Sequence, residues 1–559
     1  MRMPRIKTIK LILQELIKSQ IKTRADLASF KRKIARKYKI PCPSNVELLK
    51  IYHELLENKR IKPSQKIENL LRTRPIRSLS GIVNVSVLTK PYPCPGKCLY
   101  CPTQKGIPKS YLKGEPAVQR AILTNFNPYL QVQVRLQALQ TTGHPIDKIE
   151  LRIIGGTWSY YPKKYQTWFV KECFRACNEF SSKNQIRDNI AMAKLTRIQE
   201  ARLKEELIKQ QKKNEKAKCR IVGITVETRP DYVDVKEVKR MRELGITRVE
   251  LGVQSIYDDV LELNRRDHSV SSTTKATKLL KDAGFKVSYQ MMPNLPGSDL
   301  GRDIKMFEEI FKNPDFRPDL LKIYPLALVK QAPLYSWYLK GKFKPYSEKE
   351  LINLLIEIKK KIPRYCRIQR ILRDIPSKEI VEGGSKILNL REVVQKEMTE
   401  RGLKCKCIRC REVREKYNPR EKLHLFRENY EASGGKEIFL SFEDKEREKL
   451  YALLRLRIPS YILQRTGNKN RPAFPVLKES AIIREIHTYG QMMPIGNKSL
   501  SPQHRGLGKR LIREAEKIAK REFGLNKIAV ISGIGVRPYY RKLGYRLKDT
   551  YMVKKLNNS

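Results

Sequence analysis

Hydrophobic positions recur with three different rhythms along the 559 residues of this chain. Over the first 80 they fall at helical spacing, as in "IKLILQELI" and "NVELLKIYHELLE", until Pro75 in "RTRPIR" breaks the pattern. A small helical module over 1–80 is the consequence. From 81 the rhythm shortens to β-rich runs separated by helical stretches: "GIVNVSVL", "KIELRIIGG", "CRIVGITVE", "ITRVELGV", "FKVSYQMM" and "LLKIYPL". Strand alternating with helix predicts parallel βα units in an α/β partial barrel over 81–395, with chemistry where the strands end. Residues 181–220 are charged at helical intervals without a wide apolar stripe, which predicts a solvated helical excursion. A cysteine-rich linker, 396–430, leads to "EIFLSF", "LYALLRLRI", "SAIIREIHTYG" and "KIAVISG". With the amphipathic "HRGLGKRLIREAEKIAKREF", these predict a separate mixed-sheet domain over 431–559.

Charge sharpens this picture. Lys and Arg number 116 against 58 Asp and Glu, a net charge of +58, which pulls toward polyanions such as nucleic acid or an anionic membrane face. Residues 1–80 alone hold 21 Lys/Arg against 6 Asp/Glu. In "MRMPRIKTIKLILQELIKSQ" the apolar positions are interrupted by Lys10, Glu15 and Lys18, so neither a signal-peptide core nor a membrane span is expected. A soluble, cytoplasmic protein follows, in which the 11 cysteines are thiols or ligands. Six of them fall in two tight clusters.

The first cluster, "CPGKCLYC", follows the first β-rich run. Cys94, Cys98 and Cys101 can hold three irons of a [4Fe–4S] cluster and leave the fourth iron without a protein ligand. An iron open in this way can chelate the amino and carboxylate groups of S-adenosylmethionine (SAM) and pass it an electron. Zinc with a distant fourth ligand is the alternative on spacing alone. The C-x3-C-x2-C spacing at a first strand's end is, however, the radical SAM signature, and Tyr100 adds an aromatic shield. Gly155, Gly156 and Thr157 close the next strand, where glycine permits backbone to approach the methionine amino group. Glu227 and Arg229 in "VETRPDY" and Gln254 in "ELGVQS" stand at later strand ends, placed for ribose and carboxylate contacts or for structural ion pairs.

"QHRGLG" before the amphipathic helix makes a pyrophosphate site from backbone N–H groups, in the order expected of a Gcn5-related acetyltransferase (GNAT) that binds acetyl-coenzyme A. The second cluster, Cys405, Cys407 and Cys410 in "CKCIRC", lacks the strand–loop context of an open cluster. A structural zinc fits it best, with His424 or Cys366 as candidate fourth ligands.

Taken in order, "GIVNVSVLTKPYPCPGKCLYCP", "GHPIDKIELRIIGGTW", "GITVETRPDY", "LGVQSIYDDV", "EASGGKEIFLSFED", "REIHTYG", "HRGLG" and "KIAVISGIGVRPYYRKLGYR" resemble the Elongator catalytic subunit family of tRNA-modifying enzymes over nearly the whole chain. The resemblance implies an acyltransferase of the radical SAM type that forms 5-carboxymethyluridine at the tRNA wobble position. In that family a 5′-deoxyadenosyl radical takes a methyl hydrogen from the acetyl group of acetyl-coenzyme A, and the resulting carbon radical adds to carbon 5 of the uridine. By position, Lys148 matches a residue that reaches acetyl-coenzyme A from the barrel. Glu485, Ile486, His487 and Thr488 match the strand beside the pantetheine arm. Leu507, Gly508 and Lys509 match the pyrophosphate loop, and Tyr540, beside Tyr539, matches the tyrosine near the thioester. Lys148, Tyr539 and Tyr540 are thus the expected catalytic set. The short cysteine spacing and the complete "CKCIRC" point to a prokaryotic, stand-alone type; its expected partner is the tRNA anticodon stem-loop, bound by the basic module 1–80 together with basic strips of the barrel, with possible self-association but no other Elongator subunits. The rival readings are a protein lysine acetyltransferase with a structural iron–sulfur domain, which +58 disfavours because its substrates are also basic, and a non-catalytic RNA scaffold.

Overall fold

A computed structural model describes the chain except residues 1–4, 76–77, 182–198, 385, 388, 415–417, 419, 464–471, 491–505 and 557–559. Four helices open it: α1 (Arg5–Lys18), α2 (Arg24–Lys37), α3 (Asn45–Glu57) and α4 (Gln65–Leu71). Thr23, Ser44 and Ser64 cap the last three. Asp26 and Glu47 complete reciprocal capping boxes, which explains why short segments rich in lysine hold helical ends here. Ile12, Leu13, Leu48, Leu49, Tyr52 and Leu71 form a core of the module's own. It docks on the barrel where Thr73 N–H donates to the Thr142 carbonyl (3.2 Å) and Arg72 Nε to the Gly143 carbonyl (2.7 Å). Gly143 has φ +80°, and a Cβ there would stand 3.1 Å from Leu49 Cδ1, so only glycine allows this approach.

The barrel is an open, all-parallel sheet of seven strands: β1 (Val83–Leu88), β2 (Lys148–Ile154), β3 (Arg220–Thr228), β4 (Arg248–Gln254), β5 (Lys286–Met291), β6 (Leu320–Ile323) and, after a strand in a separate ribbon, β8 (Arg367–Arg370). Strands pair in chain order, as repeated βα units require. The ribbon joins β7 (Ala327–Val329) and β9 (Ile380–Gly383).

A second seven-stranded sheet has the order β10-β11-β12-β13-β14-β16-β15: β10 (His424–Ala432), β11 (Gly435–Glu443), β12 (Leu450–Ile458), β13 (Ala481–Thr488), β14 (Lys527–Val530), β15 (Arg546–Lys548) and β16 (Tyr551–Lys555). It is antiparallel except between β13 and β14. Those two pair only over Ala481–Ile483, so β13 diverges from β14 beyond Ile483. The amphipathic helix Leu507–Arg521 lays Leu507, Leu511, Ala515 and Ile518 on this sheet. β10 begins upstream of the expected edge at 431, its side chains alternating in burial as on an edge strand.

The two sheets share one hydrophobic core, and the second packs against the N-terminal ends of the barrel strands. A Cβ on Gly535 would meet Arg220 Cβ at 2.6 Å, and one on Gly284 would meet Ile482 Cγ2 at 2.9 Å. The excursion differs from expectation. Helix Glu200–Asn214 is packed, with Leu203 and Leu207 buried and the Asn214 amide donating to the Cys219 carbonyl (3.0 Å). Two leucines one turn apart, assisted by buried amides and a Lys171–Glu206 ion pair (2.9 Å), make a seam too narrow for periodicity to show. Residues 182–198 of that stretch lie outside the described residues. No described helix is long and apolar enough to cross a membrane.

Candidate active site

The cysteine loop leaves β1 and is pinned at its middle. Leu99 N–H donates to the Asn264 carbonyl (3.2 Å), its own carbonyl accepts from Leu334 N–H (2.8 Å), and its side chain packs with Val260, Leu295 and Leu326. Cys94, Cys98 and Cys101 are thereby presented from a fixed loop. Cys98 Sγ lies 3.5 Å from Arg266 Nη1, and Cys94 Sγ 3.7 Å from Thr157 Oγ1. Burial, then the nearby Cys98 thiol, pushes Cys101 up to about 12, so the Cys101 sulfur needs a cation before it ionises. Among the described residues only the other trio, at 405–410, gathers three ligand atoms within 4.8 Å of one another. Sulfurs on one tetrahedral zinc stand about 3.8 Å apart, whereas sulfurs on separate corners of a cubane stand wider. The N-terminal trio does not meet that compact spacing.

Around that loop the strand ends converge. Gly155 (φ +128°) and Gly156 (φ +80°) follow β2, and a Cβ on Gly155 would overlap Thr89 Oγ1. Tyr161 Oη bonds the Lys90 and Gly155 carbonyls, both at 2.9 Å, fixing this exposed backbone. Arg229, after β3, forks onto Asp231 (2.9 and 2.8 Å), while its buried Nη1 has no protein partner and would stand 2.6 Å from a Cβ on Gly96. A cation is thus held over the cysteine loop with one donor unspent. Gln254, φ +70° at the end of β4, likewise has a buried Oε1 without a protein partner. Such orphaned polar atoms suit a polar ligand.

Glu227 sits deeper in the barrel. Tyr111 Oη (2.9 Å), Gln290 Nε2 (3.2 Å) and Lys322 Nζ (2.9 Å) all donate to it. Lys322 also pairs with Glu250, which Arg152 (3.5 Å) and Arg248 (3.8 Å) approach. Burial opposes the charge on Glu250, but these three cations hold its carboxyl well below the usual range. The barrel interior is therefore a charged network. Arg266, Lys322 and Tyr111 escaped the sequence reading, because nothing in their spacing marks partners more than 70 residues away.

The second group of expected residues lies at the other end of the sheet. Lys148 begins β2, and burial pulls its ammonium down against the opposing effect of Asp147. Glu485 on β13 accepts from Arg455 Nε (2.8 Å) and Lys286 Nζ (3.3 Å). Those cations outweigh its burial and hold the carboxyl well below its ordinary value. His487 Nε2 lies 2.7 Å from the Ser80 carbonyl, its imidazole pulled down by burial. Leu507 is buried, and Lys509 is exposed on the same first helical turn. A Cβ on Gly508 would meet Tyr539 Oη at 3.1 Å, Ile486 Cδ1 at 3.6 Å and Thr488 Oγ1 at 3.9 Å. Tyr539, Ile486 and Thr488 converge on one helix N-terminus. Tyr539 presents its hydroxyl there, with burial pushing the phenol up to about 12, whereas Tyr540 is buried against Tyr545 with ring centres 5.9 Å apart. Gln503–Arg505 of the glycine motif lie outside the described residues.

Cys405, Cys407 and Cys410 form the compact trio, Cys407 capping the short helix Ile408–Arg411. Cys366 is adjacent, its carbonyl accepting from Ile408 N–H (3.0 Å), but its thiol is not in the group. His424 stands on edge strand β10 and is not in the group either.

A parallel open barrel with a three-cysteine loop after its first strand defines the radical SAM class. The profile described as the Radical SAM superfamily matches residues 92–310, and the Radical_SAM C-terminal domain matches 318–400. The chain is 44% identical to a tRNA uridine(34) acetyltransferase of Methanocaldococcus infernus, over 98% of both chains. It is 37% identical to human Elongator complex protein 3 over 98% of this chain and 97% of that one. The archaeal Methanocaldococcus infernus Elp3 structure with an N-terminal deletion superimposes with a TM-score of 0.70 at 43% identity, covering 86% of this chain and 100% of that one. The chain belongs to the family of tRNA uridine(34) acetyltransferases and Elongator complex protein 3.

Proposed function

We propose that this enzyme modifies the wobble uridine of tRNA to 5-carboxymethyluridine, drawing the two-carbon unit from acetyl-coenzyme A. The observation that carries the reading is a barrel sheet with the cysteine loop and orphaned polar atoms of Arg229 and Gln254 at its C-terminal strand ends, and with Lys148 at the opposite end of β2, the side on which the second sheet packs. Cys94, Cys98 and Cys101 would hold the [4Fe–4S] cluster, and Gly155–Thr157, Arg229 and Gln254 would hold SAM. Bound there, the pair supplies a carbon-centred radical able to take hydrogen from a methyl group.

The chain's own residues do the rest. The first turn of helix Leu507–Arg521 offers backbone N–H groups to pyrophosphate. The pairing of β13 with β14 covers Ala481–Ile483, and Glu485–Thr488 beyond it would run beside a pantetheine arm, as in a Gcn5-related acetyltransferase fold. Lys148 reaches the donor from the barrel side, and Tyr539 is the nearer tyrosine hydroxyl to that helical turn. The charged lumen of Glu227, Lys322 and Glu250 lies between the two ends and orients polar groups there. Cys405, Cys407 and Cys410 hold a structural zinc, and the enzyme acts without other Elongator subunits.

The test is anaerobic reconstitution with iron, sulfide, SAM, acetyl-coenzyme A and tRNA, followed by nucleoside mass spectrometry. Appearance of 5-carboxymethyluridine is the expected result. Its absence, with an intact cluster and reductive SAM cleavage, would overturn the reading.

A further inference from the structure

We infer that a cationic notch at the seam between the helical module and the barrel binds a backbone phosphodiester of the RNA. This rests on the proposed tRNA reading and adds to it a defined contact. The notch has a volume of about 240 Å³ and is walled by Arg24, Leu27, Ala28 and Lys31 of α2, Asn45 at the start of α3, and the linker Arg72–Arg74. Four of these residues are cations and none is an acid.

Their neighbours orient them without cancelling their charge. Lys31 Nζ donates to Asn45 Oδ1 (2.7 Å), Arg24 Nη2 to the Asn69 carbonyl (3.4 Å), and Arg72 Nε to the Gly143 carbonyl (2.7 Å). These acceptors are all neutral. The acids that approach from behind are Glu68, whose field reaches Arg72, and Glu47, whose field reaches Lys31 while its carboxylate caps α3. Among the described residues no ion pair within 4 Å joins any of the four cations to a carboxylate. Burial pulls both Lys31 and Arg72 down, so holding like charges together here costs stability that a bound anion would offset.

Arg74 adds an independent sign. Its φ of +47° places an arginine in the left-handed region, a conformation that side chains other than glycine rarely adopt. Strain of that kind persists where the surroundings hold it, and here it turns an exposed arginine into the wall of a notch. Forked guanidiniums at Arg24, Arg72 and Arg74 with one ammonium at Lys31 match a tetrahedral, singly charged phosphodiester. The net charge of +58 favours a polyanion as its source.

The experiment is fluorescence anisotropy of labelled full-length tRNA with the full chain across a potassium chloride series. Arg24→Gln with Arg74→Gln should weaken binding about tenfold and reduce the steepness of the log–log salt dependence by about one unit. Arg24→Lys with Arg74→Lys should recover part of the loss. Ala28→Glu, which places a carboxylate in the notch, should weaken binding further. Lys59→Gln with Lys62→Gln removes two exposed cations of the same module outside the notch. An equal loss in that control would show a diffuse field and overturn the proposal, as would unchanged binding in the first pair with its helicity intact. Unchanged tRNA binding with weakened binding to phosphatidylserine vesicles would assign the notch to a lipid headgroup and also overturn it. A parent chain that binds no tRNA at low salt would instead sink the underlying reading and this proposal with it.

Discussion

Lys148 and Gly155 stand at opposite ends of one strand: Lys148 opens β2, and Gly155 follows its last residue. Seven residue steps of extended chain separate them by roughly 23 Å. The proposed donor end and the proposed radical end are therefore fixed relative to each other by a single element, and variants at each end test them separately. Lys148→Ala should lower acetyl-coenzyme A turnover by about tenfold to a hundredfold, the worth of one charged hydrogen bond, while reductive cleavage of SAM proceeds at the parent rate. Parallel assays of coenzyme A release and 5′-deoxyadenosine formation read the two ends separately.

Gly155→Ala should show the converse. The new Cβ would overlap Thr89 Oγ1 at a φ of +128°, so the backbone that Tyr161 fixes must shift. A displacement of about 1 Å at a reacting centre costs about a hundredfold in rate. 5′-Deoxyadenosine formation should fall by that order, and 5-carboxymethyluridine with it, with the affinity for acetyl-coenzyme A unchanged.

The two sheets are joined by buried charge. Asp319 at the foot of β6 pairs with Arg484 of β13, with Lys281 at 3.4 Å and with Arg455 at 3.7 Å, all nearly inaccessible to water. Asp319→Asn leaves three cations short of an anion and should destabilise the chain by about 3–5 kcal/mol, as breaking a buried pair does. Burial resists ionisation of Asp319, but Arg484, Lys281 and Arg455 hold its pKa below the ordinary 3.8. A lowered carboxyl pKa contributes stability that is complete above the unfolded value and is lost as pH falls through the folded one. Urea midpoints of the parent should therefore drop below about pH 4, and those of Asp319→Asn should fall less steeply over that range.

Cys405, Cys407 and Cys410 should hold about one zinc per chain. Cys407→Ser should reduce zinc, measured by atomic emission, to near zero, while the iron content after reconstitution stays at the parent level. Loss of iron instead would mean that the two trios are not independent.

What could be read ahead of the structure divides along physical lines. "KIELRII" alternates apolar and charged residues and "CRIVGITV" is rich in β-branched apolar ones, so both announce β2 and β3 without any partner. The cysteine loop and Gly155–Gly156 are local patterns and were equally legible. Contacts made across the chain were not: Arg484 meets Asp319 from 165 residues away, and Arg266 meets Cys98 from 168. The pattern of helix Glu200–Asn214 reads as solvated because its burial rests on two leucines and on polar side chains that bond inward.

Arg266 yields the last expectation. Its Nη1 lies 3.5 Å from Cys98 Sγ, its Nη2 donates to the Gly252 carbonyl, and the side chain is buried, so a fixed positive charge faces one sulfur of the cysteine trio. Charge and hydrogen bonds at the sulfurs are among the features that set the potential of such a cluster. A cation there favours the more negative, reduced state. Arg266→Gln should therefore move the midpoint potential of the reconstituted cluster to more negative values and lower SAM cleavage by about tenfold to a hundredfold, as loss of an outer partner does at metal sites. Redox titration followed by electron paramagnetic resonance measures the shift directly. A potential equal to the parent's, with cleavage still impaired, would show that Arg266 shapes the loop rather than the field at Cys98.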